Sequence, residues 1–95
     1  MSITVIAEFR ALAGHEQRLG AALEALVEPT LAEPGCLSYQ QYVDPADPGH
    51  RVMIEQWTGP EALEQHFASA HLQKAGTELG DVLAEPMAIR RLVAE

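Results

Sequence analysis

The stretch from Met53 to His71, MIEQWTGPEALEQHFASAH, restricts the fold most, because a strand is stopped there and a helix is started at once. Val52 to Trp57 is short, rich in β-branched and aromatic residues, and closed by Gly59-Pro60, which reads as a strand end. Two helix starts fit the residues after Trp57. Thr58 and Glu61 have capping-box spacing, in which each side chain satisfies an orphan amide of the first turn. Alternatively Gly59 is the cap and Pro60 the first helical residue, where a missing N–H costs nothing. The helix carries His66 and, beyond Ser69, His71.

Every other segment falls in line with that strand-to-helix switch. Ile3 to Ala11 alternates, with Ile3, Val5, Ala7 and Phe9 on one face and a mixed face of Thr4, Ile6, Glu8 and Arg10 opposite. A mixed face can line a polar cavity or meet a partner chain. After Gly14 the period turns helical, with Leu19, Ala22, Leu23, Leu26 and Val27 on one stripe. Pro29 predicts a kink or a short added turn through Ala32, and Pro34-Gly35 a stop. Cys36 to Asp44 is a second strand, and Asp44 to Gly49 is dense in turn residues, as a hairpin link should be. The second helix has a stripe of Ala62, Leu63, Phe67 and Ala70. It is interrupted at Ser69, resumes through Leu72, Ala75 and Leu79, and is weakened by Gly76 and Gly80. Met87 to Val93 is a last strand.

The order is β-α-β-β-α-β, the ferredoxin-like plan of an α+β fold, in one domain spanning residues 1–95. Its antiparallel sheet carries both helices on one face and leaves the other bare. A bare face with Ile6, Met53 or Leu92 on it would be sticky, so a homodimer formed sheet against sheet is expected.

Charge limits the partners. Fourteen acidic against six basic residues give a net charge of −8, which repels nucleic-acid phosphates and anionic lipid. No apolar run approaches the roughly 20 residues of a membrane span, and residues 1–9 lack the basic start of a signal peptide. The single cysteine, Cys36, cannot pair within the chain, in keeping with a reducing cytoplasm. A thiol nucleophile there competes with the plainer role of a small buried residue at a strand start. No metal-binding motif and no P-loop is present.

Three runs together resemble the antibiotic biosynthesis monooxygenase (ABM) domain family: Thr30-Leu31-Ala32-Glu33-Pro34-Gly35-Cys36-Leu37-Ser38-Tyr39, then Glu55-Gln56-Trp57, then Glu61-Ala62-Leu63 with His66, Ser69 and His71. The resemblance covers nearly the whole chain and implies a dimeric α+β barrel. Similar chains include quinol monooxygenases, aromatic polyketide oxygenases, haem-degrading enzymes and an isomerase, so the family leaves the activity open. The haem-degrading branch has a tryptophan where this chain has His66, and its ligating histidine falls near Gly76, which argues against haem degradation. Leu31 stands where the family often has arginine.

The resemblance implies a quinol or polycyclic phenol oxidised by dioxygen, with no metal and no organic cofactor. Such chemistry needs a base that titrates near neutrality and a dry pocket. His71 and His66 are the candidate bases, with Glu55 orienting an imidazole and Trp57, Tyr39 and Phe67 forming an aromatic wall. Each has a plainer role: Trp57 and Phe67 as core, Glu55 as a cross-sheet ion pair with Arg10 or Arg91, one histidine as a structural partner. His66 and His71 lie five apart, roughly 140° around a continuous helix, so both reach one site only if the helix breaks near Ser69. That spacing also argues against zinc. His15 and His50 fall by turns, where solvent is expected. Non-oxidative isomerisation or cyclisation on the same fold, and a non-catalytic module that binds a small ligand, are the alternatives.

Overall fold

The computed structural model describes residues 1–95. Four strands, β1 (Ile3–Arg10), β2 (Cys36–Asp44), β3 (Asp47–Trp57) and β4 (Ala88–Leu92), form one antiparallel sheet in the order β2-β3-β1-β4. The helical segments are α1 (Glu16–Glu24), α2 (Val27–Leu31), α3 (Pro60–Phe67) and α4 (Ala70–Val82). This is the ferredoxin-like α+β plan that the sequence predicts.

Both predicted helices are broken in two, each for a local reason. Pro29 cannot donate to the turn before it, and the first helix stops after Glu24 and restarts as the short α2. The second breaks at Ser69, whose backbone is extended; its Oγ donates to the His66 carbonyl and accepts from the Leu72 amide. At the start of α3 the glycine cap is the one realised: Gly59 caps and Pro60 is the first helical residue. Thr58 is occupied elsewhere, its amide donating to the Gly35 carbonyl at 2.9 Å. Gly35 is required twice over. Its φ is +86°, and a Cβ there would lie 2.6 Å from the Ala62 Cβ and 2.7 Å from Thr58 Oγ1.

The β2–β3 link is tighter than expected. The turn is Pro45-Ala46 alone, with the Asp44 carboxylate accepting from the Ala46 amide, and β3 begins already at Asp47. His50 therefore lies on a strand and is half-buried. Its imidazole bridges the Glu8 and Asp44 carboxylates.

Directly paired residues of antiparallel strands share a face, so the register fixes the sidedness. Ala7 pairs with Met53 and Ile89, and Val5 with Glu55 and Arg91. These residues lie on the helix side, where Val5, Ala7, Phe9, Met53 and Trp57 are buried with Leu19, Leu23, Leu26, Leu63, Leu79 and Val82. Met53 is thus core, and its expected place on the bare face is corrected. That face carries Ile6 paired with Ile54, Thr4 paired with Leu92, and Tyr42 paired with Val52. Ile54, Leu92 and Tyr42 are exposed. No helix is long and apolar enough to cross a membrane.

Candidate functional site

A cavity of about 140 Å³ lies between the sheet and the broken second helix. Its inner wall is mostly apolar, with Ala7, Phe9, Leu26 and Leu79. Three side chains bring polar atoms to it: Tyr39, Glu55 and His66. Strand β3 supplies Glu55 because it is one of the inward positions of that strand, between Met53 and Trp57. His66 comes from the last turn of α3 and is 2% exposed.

Glu55 is 4% exposed, and its one hydrogen bond is accepted by Oε1 from the Trp57 indole Nε1–H at 3.0 Å. Burial raises its pKa to about 7; the indole bond pulls downward and the nearby Glu33 charge pushes upward. It makes no ion pair with Arg10 or Arg91. Arg10 lies near Asp47 and Glu85, and Arg91 sits over the Phe67 ring at 5.3 Å. Nor is Glu55 hydrogen-bonded to either imidazole, so the orienting role expected of it belongs to another carboxylate.

That carboxylate is Glu33, in the bend between α2 and β2. Its Oε2 lies 2.8 Å from His66 Nδ1 and 2.7 Å from His71 Nε2. A carboxylate oxygen only accepts, so both ring nitrogens donate to it. His66 is driven below the ordinary histidine pKa by burial, against the opposing pull of Glu33, and its ring is neutral at pH 7. With the proton held on Nδ1, Nε2 is the acceptor of a ring that lines the cavity. The ring is packed against Trp57, with centroids 4.7 Å apart, and edge-on to Tyr39 at 5.6 Å.

The break at Ser69 brings both histidines to Glu33, but not to one pocket. His71, 26% exposed, lines an open groove between α1 and α4 with Arg18, Ala22 and Lys74. It does not line the cavity that holds Glu55 and His66. Trp57 is also displaced from its expected role. It is 0% exposed and sits behind Glu55 and His66, holding both, while Tyr39 and Phe67 form the aromatic part of the wall. Cys36 is half-buried, and burial raises its thiol pKa to about 11, far from a reactive thiolate.

Glu33, His66 and His71 are also the residues best placed to hold a divalent ion, their ligand atoms lying within 4.8 Å of one another. Two ligands of a tetrahedral zinc stand about 3.3 Å apart. Here each nitrogen is 2.7–2.8 Å from the oxygen, a hydrogen-bond spacing. The cluster fits shared protons better than a metal. Replacing Glu33 with alanine is expected to strand a buried N–H of His66 and lower stability by about 1–3 kcal/mol in urea unfolding. Glutamine, which keeps an acceptor oxygen, should recover part of that loss. Glu33 carried a sequence signal, since Glu33-Pro34-Gly35 precedes a required tight turn, but the contact with α3 and α4 spans more than thirty residues.

Residues 2–78 match the family model described as antibiotic biosynthesis monooxygenase. The chain belongs to the ABM family. Among its ABM relatives, Rv0793 of Mycobacterium tuberculosis, a monooxygenase by provisional name, is 36% identical over 87 residues, covering 92% of this chain and 85% of the relative. The solved structure of Rv0793 superposes with a TM-score of 0.94, covering 100% of this chain and 96% of that one. YgiN of Escherichia coli K12, named a probable quinol monooxygenase, is 39% identical over 93 residues, covering 85% of this chain and 88% of YgiN. The crystal structure of PA3566 from Pseudomonas aeruginosa gives a TM-score of 0.93 at 35% identity, covering 99% and 94%. The ABM fold thus extends over the whole chain.

Proposed function

We propose that this ABM protein is a monooxygenase that oxidises a hydroquinone or phenol with dioxygen, using neither metal nor organic cofactor. One observation carries the reading: a buried carboxyl that titrates near pH 7 faces an apolar cavity beside a neutral imidazole. YgiN, a relative named for quinol oxidation, supports the substrate class.

Glu55 is the base in this reading. Its Oε1 is held by Trp57, which leaves Oε2 to take the proton of a substrate O–H. His66 Nε2, fixed by Glu33, accepts a hydrogen bond from a second substrate hydroxyl. The substrate anion passes an electron to dioxygen, and the dry wall protects the radical pair until they combine. For a hydroquinone, one oxygen atom enters the ring and the other leaves as water, giving a hydroxyquinone and consuming one dioxygen per substrate. Size favours one ring over several, since a cavity of about 150 Å³ holds benzene, and this one measures about 140 Å³.

The same reading takes the working form as a homodimer joined through the bare sheet face, in the cytoplasm, where the Cys36 thiol stays free. An oxygen electrode tests the chemistry with methylhydroquinone. Uptake above the uncatalysed rate is expected, at one dioxygen per substrate and unchanged by EDTA. Conversion without oxygen uptake would point to isomerase chemistry, and saturable binding without conversion to a ligand-binding module. Loss of turnover in EDTA, restored by zinc, would move the Glu33 cluster into the mechanism as a metal site.

A further inference from the structure

Gly76 sits in the middle of α4, where glycine costs a helix about 1 kcal/mol relative to alanine. Glycine is normally kept at such a place by a left-handed backbone or a close neighbour, and neither applies. The positive-φ glycines are Gly14 and Gly35, and a Cβ built at Gly76 meets nothing within 4 Å. Gly20 in α1 makes the contrast, since a Cβ there would press against the Arg51 guanidinium at 2.9 Å.

What Gly76 does border is the cavity. Of the residues that line it, the exposed ones are Gly76, Met87 and Ile89; the polar end, with Glu55 and His66, is buried. The cavity therefore meets solvent between the bare backbone of α4 and the two side chains at the start of the last strand. We propose that Gly76 is the window of this cavity, a specificity-determining position whose missing side chain admits a flat, single-ring phenol edge-on to the buried end. The inference rests on the cavity being the binding site, as the proposed function has it. In this reading the helix bears a local cost at the mouth because a side chain at Gly76 would narrow the gap that it shares with Met87 and Ile89.

Gly80 provides the control. It lies in the same helix, has no neighbour within 4 Å of a built Cβ, and does not line the cavity. Helix propensity predicts that Gly76→Leu and Gly80→Leu both raise the melting temperature. Only the first should close the window.

Binding is read with 4-nitrophenol, which quenches the fluorescence of Trp57. That residue is the one tryptophan of the chain and is packed against cavity-lining His66. The expected result is an affinity at least tenfold weaker in Gly76→Leu, with Gly76→Ala intermediate and Gly80→Leu within twofold of the parent. The melting curve shows that each variant is folded. Unchanged binding in Gly76→Leu, or an equal loss in Gly80→Leu, overturns the window while leaving the cavity as the site. Absence of saturable quenching in the parent chain overturns the cavity reading and the window with it.

Discussion

Replacing Glu55 with glutamine is expected to lower the turnover of methylhydroquinone by about 10²–10⁴-fold, the usual worth of a positioned base. Glutamine keeps a carbonyl oxygen for the Trp57 N–H, so the cavity should hold its shape while the proton acceptor is gone. In the parent chain the rate should rise with pH through about 7, as the Glu55 carboxyl loses its proton. The variant should lose that rise.

Stability should move the other way. Folding raises the Glu55 pKa from 4.5 to about 7, so between those values the folded chain holds a proton that the unfolded chain has released. Stability therefore falls as pH climbs through that window, by roughly 3 kcal/mol for this group, and is flat for it above the window. Glutamine carries no such penalty. Urea unfolding should find Glu55→Gln similar to the parent at pH 4 and more stable at pH 8. A variant less stable at both pH values, with turnover intact, would make Glu55 a structural residue and remove it from the chemistry.

Ile54→Asp is expected to split the proposed homodimer, weakening its association at least about 100-fold. Ile54 lies near the middle of the bare face, paired with Ile6 on β1 and Gln40 on β2. It is already 37% exposed, so a carboxylate there costs the isolated fold little. Across a two-fold interface the charge enters from both copies, and like charges brought together without water cost several kcal/mol. Sedimentation at micromolar concentration should find the parent at twice the chain mass and the variant at the chain mass, with the same circular dichroism. A parent that sediments as a monomer, or a variant that still pairs, would remove the bare face as the interface.

Much of this molecule could be read from local pattern. Alternation in Ile3 to Ala11, the helical stripe through Leu19, Leu23 and Leu26, and Pro-Gly punctuation place β1, β2, β4 and both helix breaks to within a few residues, while β3 begins five residues before the expected Val52. The reason is that period, proline and glycine act on the backbone within a turn or two. Four of the residues that the pattern singles out, His66, Glu55, Tyr39 and Phe67, line one cavity.

The roles within that neighbourhood were not local. His71 and His66 read alike in sequence, and only the angle between α3 and α4 puts one on the open groove and the other on the cavity. Trp57 reads as either wall or core and is core, a buried support whose neighbours in space are Glu55 and His66. Glu33 reads as part of a turn and becomes the anchor of two imidazoles brought to it from distant helices. Spacing along the chain was enough for the fold, the family and the sidedness of β1 and β4, because each depends on residues close together in the chain. Which carboxyl is dry enough to titrate near neutrality, and which merely holds a ring, emerged from packing. Desolvation depends on everything gathered around a group, and that surrounding is assembled from strands and broken helices far apart in the chain.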